Sequence, residues 1–366
     1  MGRRRTSTSD NNATTTTAGG MTGGGGGGMT GGDGGGGMMG NACYVYDIDP
    51  AAIPALDPNP DVVFELGIDM NIPLTMDDGN TVTMWGFTDI GGGMGGGGGG
   101  MGGGGGGMGG GSFPSPAMRV RQGDVVHTRL QVGMMMYHTI HHHGIEPEYR
   151  SDGVGHLSWD VNGQYTYQWR PAHAGSYFYH CHTNTVLHAE MGMYGALIVD
   201  PPSGPGTAFQ GGPAYDVEAI WAVDEIDSSW HTLGWTAGTC GGDVGLNALN
   251  PDYFVISGVD GAQSAMDAPG VAVTMSRNER LLVRYICAGY LPQQIRFGGL
   301  TASVVASDGR PLPRPVQVNR LDAVSAERYD CIIQPSQRGD YTVEVDIRHW
   351  VTGQVLGTAR TRITVV

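Results

Sequence analysis

One stretch, residues 179–193, constrains this chain more than any other part of it. It reads Tyr-His-Cys-His-Thr-Asn-Thr-Val-Leu-His-Ala-Glu-Met-Gly-Met, so three histidines, one cysteine and two methionines lie close together. Two imidazoles, a thiolate and a weak thioether are the ligand set of a blue-copper electron-transfer site. Such a site also needs a histidine from an earlier strand, which the rest of the fold must bring to this stretch.

The alternation of side chains along a β-strand divides these ligands between two centres. Because successive strand residues point to opposite faces, Cys181 faces one way and the histidines on either side of it face the other. His188 and Met193 are expected to return on the following loop and the next strand, where they complete the centre of Cys181. Met191 is the competing axial ligand.

An earlier histidine-rich segment supplies the remaining imidazoles. Residues 137–144 read Tyr-His-Thr-Ile-His-His-His-Gly. His138 is the candidate to join Cys181. His141 and His143 are two residues apart and share a face, so they are expected to join the histidines that flank Cys181. His142 is expected to point away from both centres.

The remainder of the chain predicts an all-β fold of two Greek-key sandwiches. Short strands separated by Gly, Pro and Asn turns, without a sustained helical period, favour this architecture. Residues 62–87 predict a hairpin that turns at residues 77–80. Residues 42–202 are expected to form a metal-binding sandwich, residues 203–213 a linker, and residues 214–366 a second sandwich with similar strand spacing.

Two tracts rich in glycine and methionine interrupt this pattern. Residues 1–41 are predicted to be a disordered arm, because they offer too little apolar surface to offset the entropy lost on ordering. Residues 91–112 are predicted to be a flexible loop insert in the first sandwich. A weak tether for Cu(I) is the alternative interpretation of the methionines, since thioethers are soft ligands.

Charge and cysteine usage exclude some functions. The net charge of -15 leaves no basic footprint for nucleic acid, and no apolar run is long enough for a transmembrane helix. A periplasmic or secreted location is expected because copper chemistry and disulfides suit oxidising compartments, although no signal peptide is visible. Up to two disulfides are possible among the four cysteines other than Cys181, which are Cys43, Cys240, Cys287 and Cys331.

The two ligand segments resemble those of the cupredoxin-type multicopper oxidases, in particular the two-domain, laccase-like members related to copper nitrite reductases. That family carries His-x-x-His-x-His in one strand, as at residues 138–143, and His-Cys-His followed by His and Gly-Met, as at residues 180–193. The resemblance covers about residues 43–366 and implies two cupredoxin-like domains. Further segments similar to the family are residues 113–124, 141–153, 250–256 and 327–330.

The resemblance implies a role for each matched residue. Asp152 is implied to be a catalytic proton relay, with a solvated turn aspartate as the alternative. A type 1 copper centre, taking electrons from a small-molecule or metal-ion reductant, is implied for His138, Cys181, His188 and Met193. A type 2/type 3 copper centre, reducing dioxygen, is implied for His141, His143, His180 and His182.

The second half of the chain departs from the family pattern. It holds only two histidines, His231 and His349, whereas a complete trinuclear cluster needs twice the imidazoles that the first half offers. The second domain is therefore expected to lack copper ligands. An acid often follows the type 1 histidine in the family; here Ala189 takes that place, and Glu190 beside it is given no role.

Three accounts of the missing ligands stay open. In the first, subunits of a homo-oligomer face one another and pool their histidines for an oxidase reaction. In the second, a smaller copper site is completed across a subunit boundary, as in copper nitrite reductases, and nitrite is the acceptor. In the third, the protein is a non-catalytic copper-binding or electron-transfer protein.

Overall fold

The fold is given by a computed structural model that describes residues 55–92, 111–133, 136–154, 160–239 and 244–366. The predicted arm, most of the glycine-rich insert, Cys43 and Cys240 lie outside the described residues. The expectations for those parts of the chain stay predictions.

The first sandwich is built from two four-stranded sheets. Its strands are β1 (Val62–Thr75), β2 (Thr81–Asp89), β3 (Met118–Arg121), β4 (Val126–Gln131), β5 (His141–His143), β6 (Gln164–Trp169), β7 (Gly175–His180) and β8 (Tyr194–Asp200). They pair in the orders β2-β1-β4-β6 and β3-β8-β7-β5. The side chains between the sheets form one core, which includes Leu66, Phe87, Trp169 and Leu197.

The second sandwich has a seven-stranded and a five-stranded sheet. Its strands are β9 (Val217–Ile226), β10 (Tyr253–Ile256), β11 (Val259–Asp260), β12 (Val273–Met275), β13 (Leu281–Cys287), β14 (Gln293–Arg296), β15 (Ala302–Ser307), β16 (Arg310–Val318), β17 (Arg320–Ala323), β18 (Arg328–Ile333), β19 (Gly339–Arg348) and β20 (Val355–Val365). Their orders are β11-β10-β9-β13-β18-β15-β16 and β12-β20-β19-β14-β17.

Helix is scarce in the described part of the chain. The α-helix α1 (Thr185–Glu190) follows β7, and single 3-10 turns occur at Tyr149–Ser151, Trp230–Thr232 and Ser264–Met266. No helix among the described residues has the length and apolar character to cross a membrane. The all-β prediction is confirmed, while the exact domain boundaries stay a prediction.

The first hairpin forms where the sequence predicts it. β1 and β2 pair antiparallel from Leu66 opposite Asp89 to Thr75 opposite Thr81. The turn between them closes through the Met76 amide, which donates to the Asn80 carbonyl at 2.8 Å. β1 also pairs with β4, and this pairing joins the hairpin to the rest of the sheet.

The two sandwiches share a buried apolar cluster. Phe178 and Ile198 from the first half pack with Ile220, Val255 and Ile286 from the second half. Since all of these side chains are buried, burial of apolar surface holds the two halves together.

A chain of buried charges also crosses between the halves. Arg119 of the first half pairs with Asp200 at 2.7 Å and with Glu218 of the second half at 2.6 Å. Glu218 also pairs with the fully buried Arg284 at 2.6 Å, and Arg284 lies 3.5 Å from Asp330. Burial alone would raise the pKa of Glu218, but the two guanidinium groups hold it below its usual value. The carboxylate therefore stays charged at the boundary.

Two sequence-based expectations are wrong, and a third is narrowed. His188 lies on α1 rather than on a loop, because six residues are too few for a helical period to be visible. His138 does not share a strand with His141–His143; it forms an isolated bridge with Val161. The upper bound of two disulfides falls to one, because Cys287 and Cys331 are free, each enclosed by apolar neighbours in the second core.

Candidate metal centres

Pairing of β5 with β7 brings the two ligand segments together. His141 lies opposite His180, and His143 lies opposite Phe178. Cys181 follows β7 directly, and its amide donates to the Met193 carbonyl at 3.0 Å. This backbone bond places the end of β7 beside the turn before β8, so local sequence and strand register together build the site.

The first ligand group consists of His138, Cys181 and His188, whose ligand atoms all lie within 4.8 Å of one another. The Sγ of Cys181 is 3.6 Å from Nδ1 of His138 and 3.3 Å from Nδ1 of His188. All three side chains are fully buried. Met193, the predicted axial ligand, is also fully buried in the same core, as is Met191 beside it.

Hydrogen bonding orients His188 for ligation through one nitrogen. Its Nε2 donates to the carbonyl oxygen of Trp235 at 2.9 Å, which leaves the lone pair of Nδ1 facing Cys181. Fixing the far nitrogen in this way is how proteins set the tautomer of a metal-binding histidine. The ring of Trp85 packs edge-on against that of His188, with centroids 5.6 Å apart.

Burial keeps this group neutral without a cation. It raises the pKa of the Cys181 thiol to about 12 and lowers the pKa of His188 to about 4. Burial, and then repulsion from His188, also lowers the pKa of His138 well below its usual range. The Nε2 of His138 has no hydrogen-bond partner among the described residues. A thiol that ionises only when a cation joins it, beside two neutral imidazoles, fits a soft metal ion such as copper.

The second ligand group lies on the opposite face of the same segment. Ligand atoms of His141, His143 and His180 lie within 4.8 Å of one another, and Nδ1 of His143 is 3.2 Å from Nε2 of His180. The ring of His182 lies 5.5 Å from that of His141 and 5.7 Å from that of His180. The four predicted histidines therefore gather in one place, with His182 at the edge.

Backbone carbonyls orient two of these rings. Nδ1 of His141 donates to the carbonyl oxygen of Asp152 at 2.8 Å, and Nδ1 of His180 donates to that of Cys181 at 2.9 Å. Both rings therefore present Nε2 to the centre of the group. The carboxylate of Asp152 is 3.3 Å from Nδ1 of His141 and its side chain is one-third exposed (33%), so it links the group to solvent.

His142 points away from both groups, as the alternation predicts. Trp169 donates from Nε1 to the hydroxyl of Thr128 at 2.9 Å, and that hydroxyl is hydrogen-bonded to Nε2 of His142 at 3.0 Å. The ring of His142 lies 4.7 Å from that of Trp169. Burial lowers the pKa of His142 to about 3, so it serves as a neutral core residue.

Arg328, a residue of the second half of the chain, places its guanidinium close to the second ligand group. The sequence alone did not predict this contact. Arg328 lies so close to Gly144 that a Cβ there would be 2.5 Å from Nη2. After burial, the charge of Arg328 is the main reason that the pKa of His143 falls to about 3. Neither group includes His231 or His349.

The two histidines of the second half of the chain and Glu190 have other partners. His231 donates from Nδ1 to the carbonyl of Thr83 at 2.8 Å, and His349 accepts two turn amides on Nδ1. Glu190 is buried, and its carboxylate accepts the Asp227 amide at 2.6 Å. Burial raises the pKa of Glu190 to about 8. It thus ties α1 to the second half of the chain.

We expect Gly153→Ala to empty the four-histidine group of copper while the Cys181 group keeps its metal. Gly153 has φ +72, and a Cβ there would lie 1.8 Å from the carbonyl oxygen of Ile140, directly before His141. Positive φ alone costs about 1–3 kcal/mol for alanine, and the clash must also displace the backbone that holds His141. Copper per chain, measured with the visible spectrum, checks this.

Gly163→Ala is the matched control for that variant. Gly163 has φ +95, but an added Cβ would meet nothing within 4 Å. It carries the same backbone strain without the clash. Equal copper content in the two variants would contradict the expectation.

Comparison with known proteins identifies the family. Two models described as multicopper oxidase match residues 108–204 and 229–365, which together are more than half of the chain. Copper resistance protein A of Pseudomonas syringae pv. tomato is 28% identical over 270 residues, covering 63% of this chain and 42% of that protein. L-ascorbate oxidase of Cucumis sativus is 33% identical over 277 residues, covering 64% of this chain and 43% of that protein.

Solved structures share the fold. The blue copper oxidase of Nitrosomonas europaea has a TM-score of 0.64 at 22% identity, covering 83% of this chain and 86% of that one. The copper nitrite reductase of the same organism has a TM-score of 0.59 at 16% identity, covering 83% and 93%. The chain spans less than half the length of the curated relatives it matches. The two matched models, the cupredoxin-like sandwiches and the paired ligand groups together establish that the chain belongs to the multicopper oxidase family.

Proposed function

We propose that this protein is a copper-dependent oxidase that takes electrons from a small-molecule or metal-ion reductant and delivers them to dioxygen. The observation that carries this proposal is the junction at Cys181, which belongs to one ligand group while His180 before it belongs to the other. A single peptide unit therefore joins the two groups. Copper bound at both would supply one-electron redox chemistry.

The ligand assignment follows from the donor atoms. For the type 1 centre we propose His138, Cys181, His188 and Met193. Three of these have ligand atoms within 4.8 Å and the fourth is fully buried beside them. For the type 2/type 3 centre we propose His141, His143, His180 and His182. Three of these have ligand nitrogens within 4.8 Å of one another and the ring of His182 lies beside them, and an assembly of several imidazoles suits copper.

Oxygen uptake by the copper-loaded protein tests the proposal. With a phenol or Fe(II) as reductant, dioxygen should disappear in proportion to the reductant oxidised. An intact blue absorption band without any oxygen consumption would contradict the oxidase reaction and favour a non-catalytic copper or electron carrier.

We propose Asp152 as the residue that moves protons to this site. Its carboxylate is 3.3 Å from Nδ1 of His141 and partly exposed, so it can exchange protons with solvent and pass them inward. Proton transfer by a positioned side chain contributes roughly a hundredfold or more. Asp152→Asn should therefore slow oxygen uptake by about that factor, whereas Asp152→Glu should retain more activity. Equal rates for both variants and the parent would refute this role.

Nitrite reduction is the second candidate function. Its support is that His141, His143 and His180 form a tight three-histidine group while His182 stands at the edge, an arrangement that suits a single copper. The guanidinium of Arg328 near His143 also favours an anionic acceptor. Nitrite turnover with a reduced electron donor distinguishes this reaction from oxygen uptake.

Assembly and location are also proposals. We propose a homo-oligomer, because the described residues of one chain bring only four histidines to the second group. Solution mass with copper counting tests this. We also propose a periplasmic or secreted location, supported by the copper ligand set; fractionation of cells tests it. The free thiols of Cys287 and Cys331 lend it no support.

A further inference from the structure

A short segment of the second half, Leu233–Ala237, lies over His188; we call it the cover. The carbonyl oxygen of Trp235 accepts the Nε2 hydrogen of His188 at 2.9 Å. Asn184 anchors the cover a second time, because its Nδ2 donates to the carbonyls of Trp235 at 3.2 Å and Ala237 at 2.9 Å. Three hydrogen bonds therefore fasten the cover to the loop and helix that carry His188.

The cover consists of a single segment of main chain. Leu233, Trp235 and Ala237 are half-buried and pack against the core that contains Cys181, whereas Gly234 and Thr236 are exposed. A Cβ added to Gly234 would meet nothing within 4 Å. The outer face is therefore open, and the inner face is in contact with the first sandwich.

His188 itself has no exposed surface. An organic reductant that must lie against the imidazole edge is blocked by the main chain of Trp235. A small reductant that transfers an electron across a short gap can approach at the exposed Gly234, the neighbour of Trp235, whose carbonyl is hydrogen-bonded to His188.

We propose that the cover determines reductant specificity by keeping bulky organic reductants from His188, and that Asn184 is the positioning residue that holds it shut. This rests on the proposed function, in which the Cys181 group is where electrons enter. Small inorganic or metal-ion reductants are the class that the cover admits.

Asn184→Gly removes the anchor with little other disturbance. Asn184 has φ 44, a conformation that glycine adopts freely, so the variant loses the side-chain amide and keeps the backbone. Asn278→Gly is the matched control, since Asn278 also has a positive φ, of 69, but lies in a turn of the second sandwich. Trp235→Ala is a second variant that loosens the inner face.

The first measurement uses copper-free protein. Alkylation of Cys181 by iodoacetamide is followed by peptide mass, with the buried Cys287 and Cys331 as internal references. Because two neutral hydrogen bonds are lost, labelling of Cys181 should rise roughly ten- to thirtyfold in Asn184→Gly. Asn278→Gly should match the parent.

The second measurement uses copper-loaded protein without oxygen. Bleaching of the blue band is timed with ferrocyanide and with a di-tert-butylphenol. The ratio of the phenol rate to the ferrocyanide rate should rise about tenfold in Asn184→Gly and rise in Trp235→Ala, with no change in Asn278→Gly. A purely structural role would alter stability and leave this ratio unchanged.

The outcomes separate the two proposals. Unchanged labelling and an unchanged or lower ratio in both folded cover variants would overturn the role of the cover, as would an equal change in Asn278→Gly. Absence of a blue band in the parent would instead overturn the type 1 assignment, and the labelling of Cys181 would still decide whether the cover shields the site.

Discussion

Replacing Cys181 with serine should abolish the blue absorption of the copper-loaded protein completely and lower its copper content by one ion per chain. That absorption requires a thiolate bound to copper, and a serine hydroxyl is a hard donor that does not ionise at neutral pH. The four histidines on the opposite face keep their nitrogens in Cys181→Ser, so copper there should remain. Visible spectra and metal analysis on the same samples measure both effects.

Cys287→Ser is the control for this variant. Cys287 is also a fully buried free thiol, but it lies in the core of the second sandwich, away from both ligand groups. Its replacement should leave the absorption unchanged. A blue band that survives in Cys181→Ser would show that the type 1 assignment is wrong.

Replacing Arg284 with methionine should cost roughly 3–5 kcal/mol in the free energy of unfolding, the range found when one partner of a buried ion pair is removed. The Arg284 side chain has 0% exposure and lies between Glu218, at 2.6 Å, and Asp330, at 3.5 Å. Ser176 of the first sandwich accepts a hydrogen bond from it at 3.2 Å. The variant leaves buried carboxylates short of a cation, which methionine cannot replace. Urea unfolding followed by tryptophan fluorescence measures the loss.

Arg129→Met provides the comparison. Arg129 pairs with Glu65 at 2.8 Å, but their side chains are 47% and 35% exposed. Solvent screens such a pair, so its removal should change stability by about 1 kcal/mol or less. If Arg284→Met were as mild as Arg129→Met, the buried chain of charges would add little to the apolar contact that holds the two halves together.

The alternation of side chains was enough to predict how the ligands divide between two groups. His142 turns into the core while His141 and His143 turn to the second group, and Cys181 turns away from His180. These outcomes follow from the period of a strand, which is a local property that any correct strand assignment carries with it.

Contacts between residues far apart in the chain could not be predicted in this way. His188 meets Trp235, 47 residues further along the chain, and nothing in either segment indicates the other. Arg328 reaches Gly144 from the other half of the molecule for the same reason. Arg284 reads as an ordinary polar residue in a strand, since its burial depends on acidic partners that only the tertiary fold supplies.

One strand was not predicted because of its prolines. β16 (Arg310–Val318) contains three prolines, which argue against a strand when only the sequence is read. It forms the edge of the seven-stranded sheet, the place where missing amide donors are tolerated. Its position at the edge of the sheet allows this strand to form, and the sequence alone does not predict that position.

The register between β5 and β7 implies that this site tolerates substitutions far better than insertions. One residue inserted just ahead of His141 would shift every partner by one position. His142 would then face the second group, while His141 and His143 would turn toward Trp169 and the core. A substitution at a ligand position removes one ligand. An insertion instead moves every side chain of the strand to the opposite face. We therefore expect related sequences that keep this chemistry to vary in residue type at the non-ligand positions between His138 and His143 and to preserve the spacing.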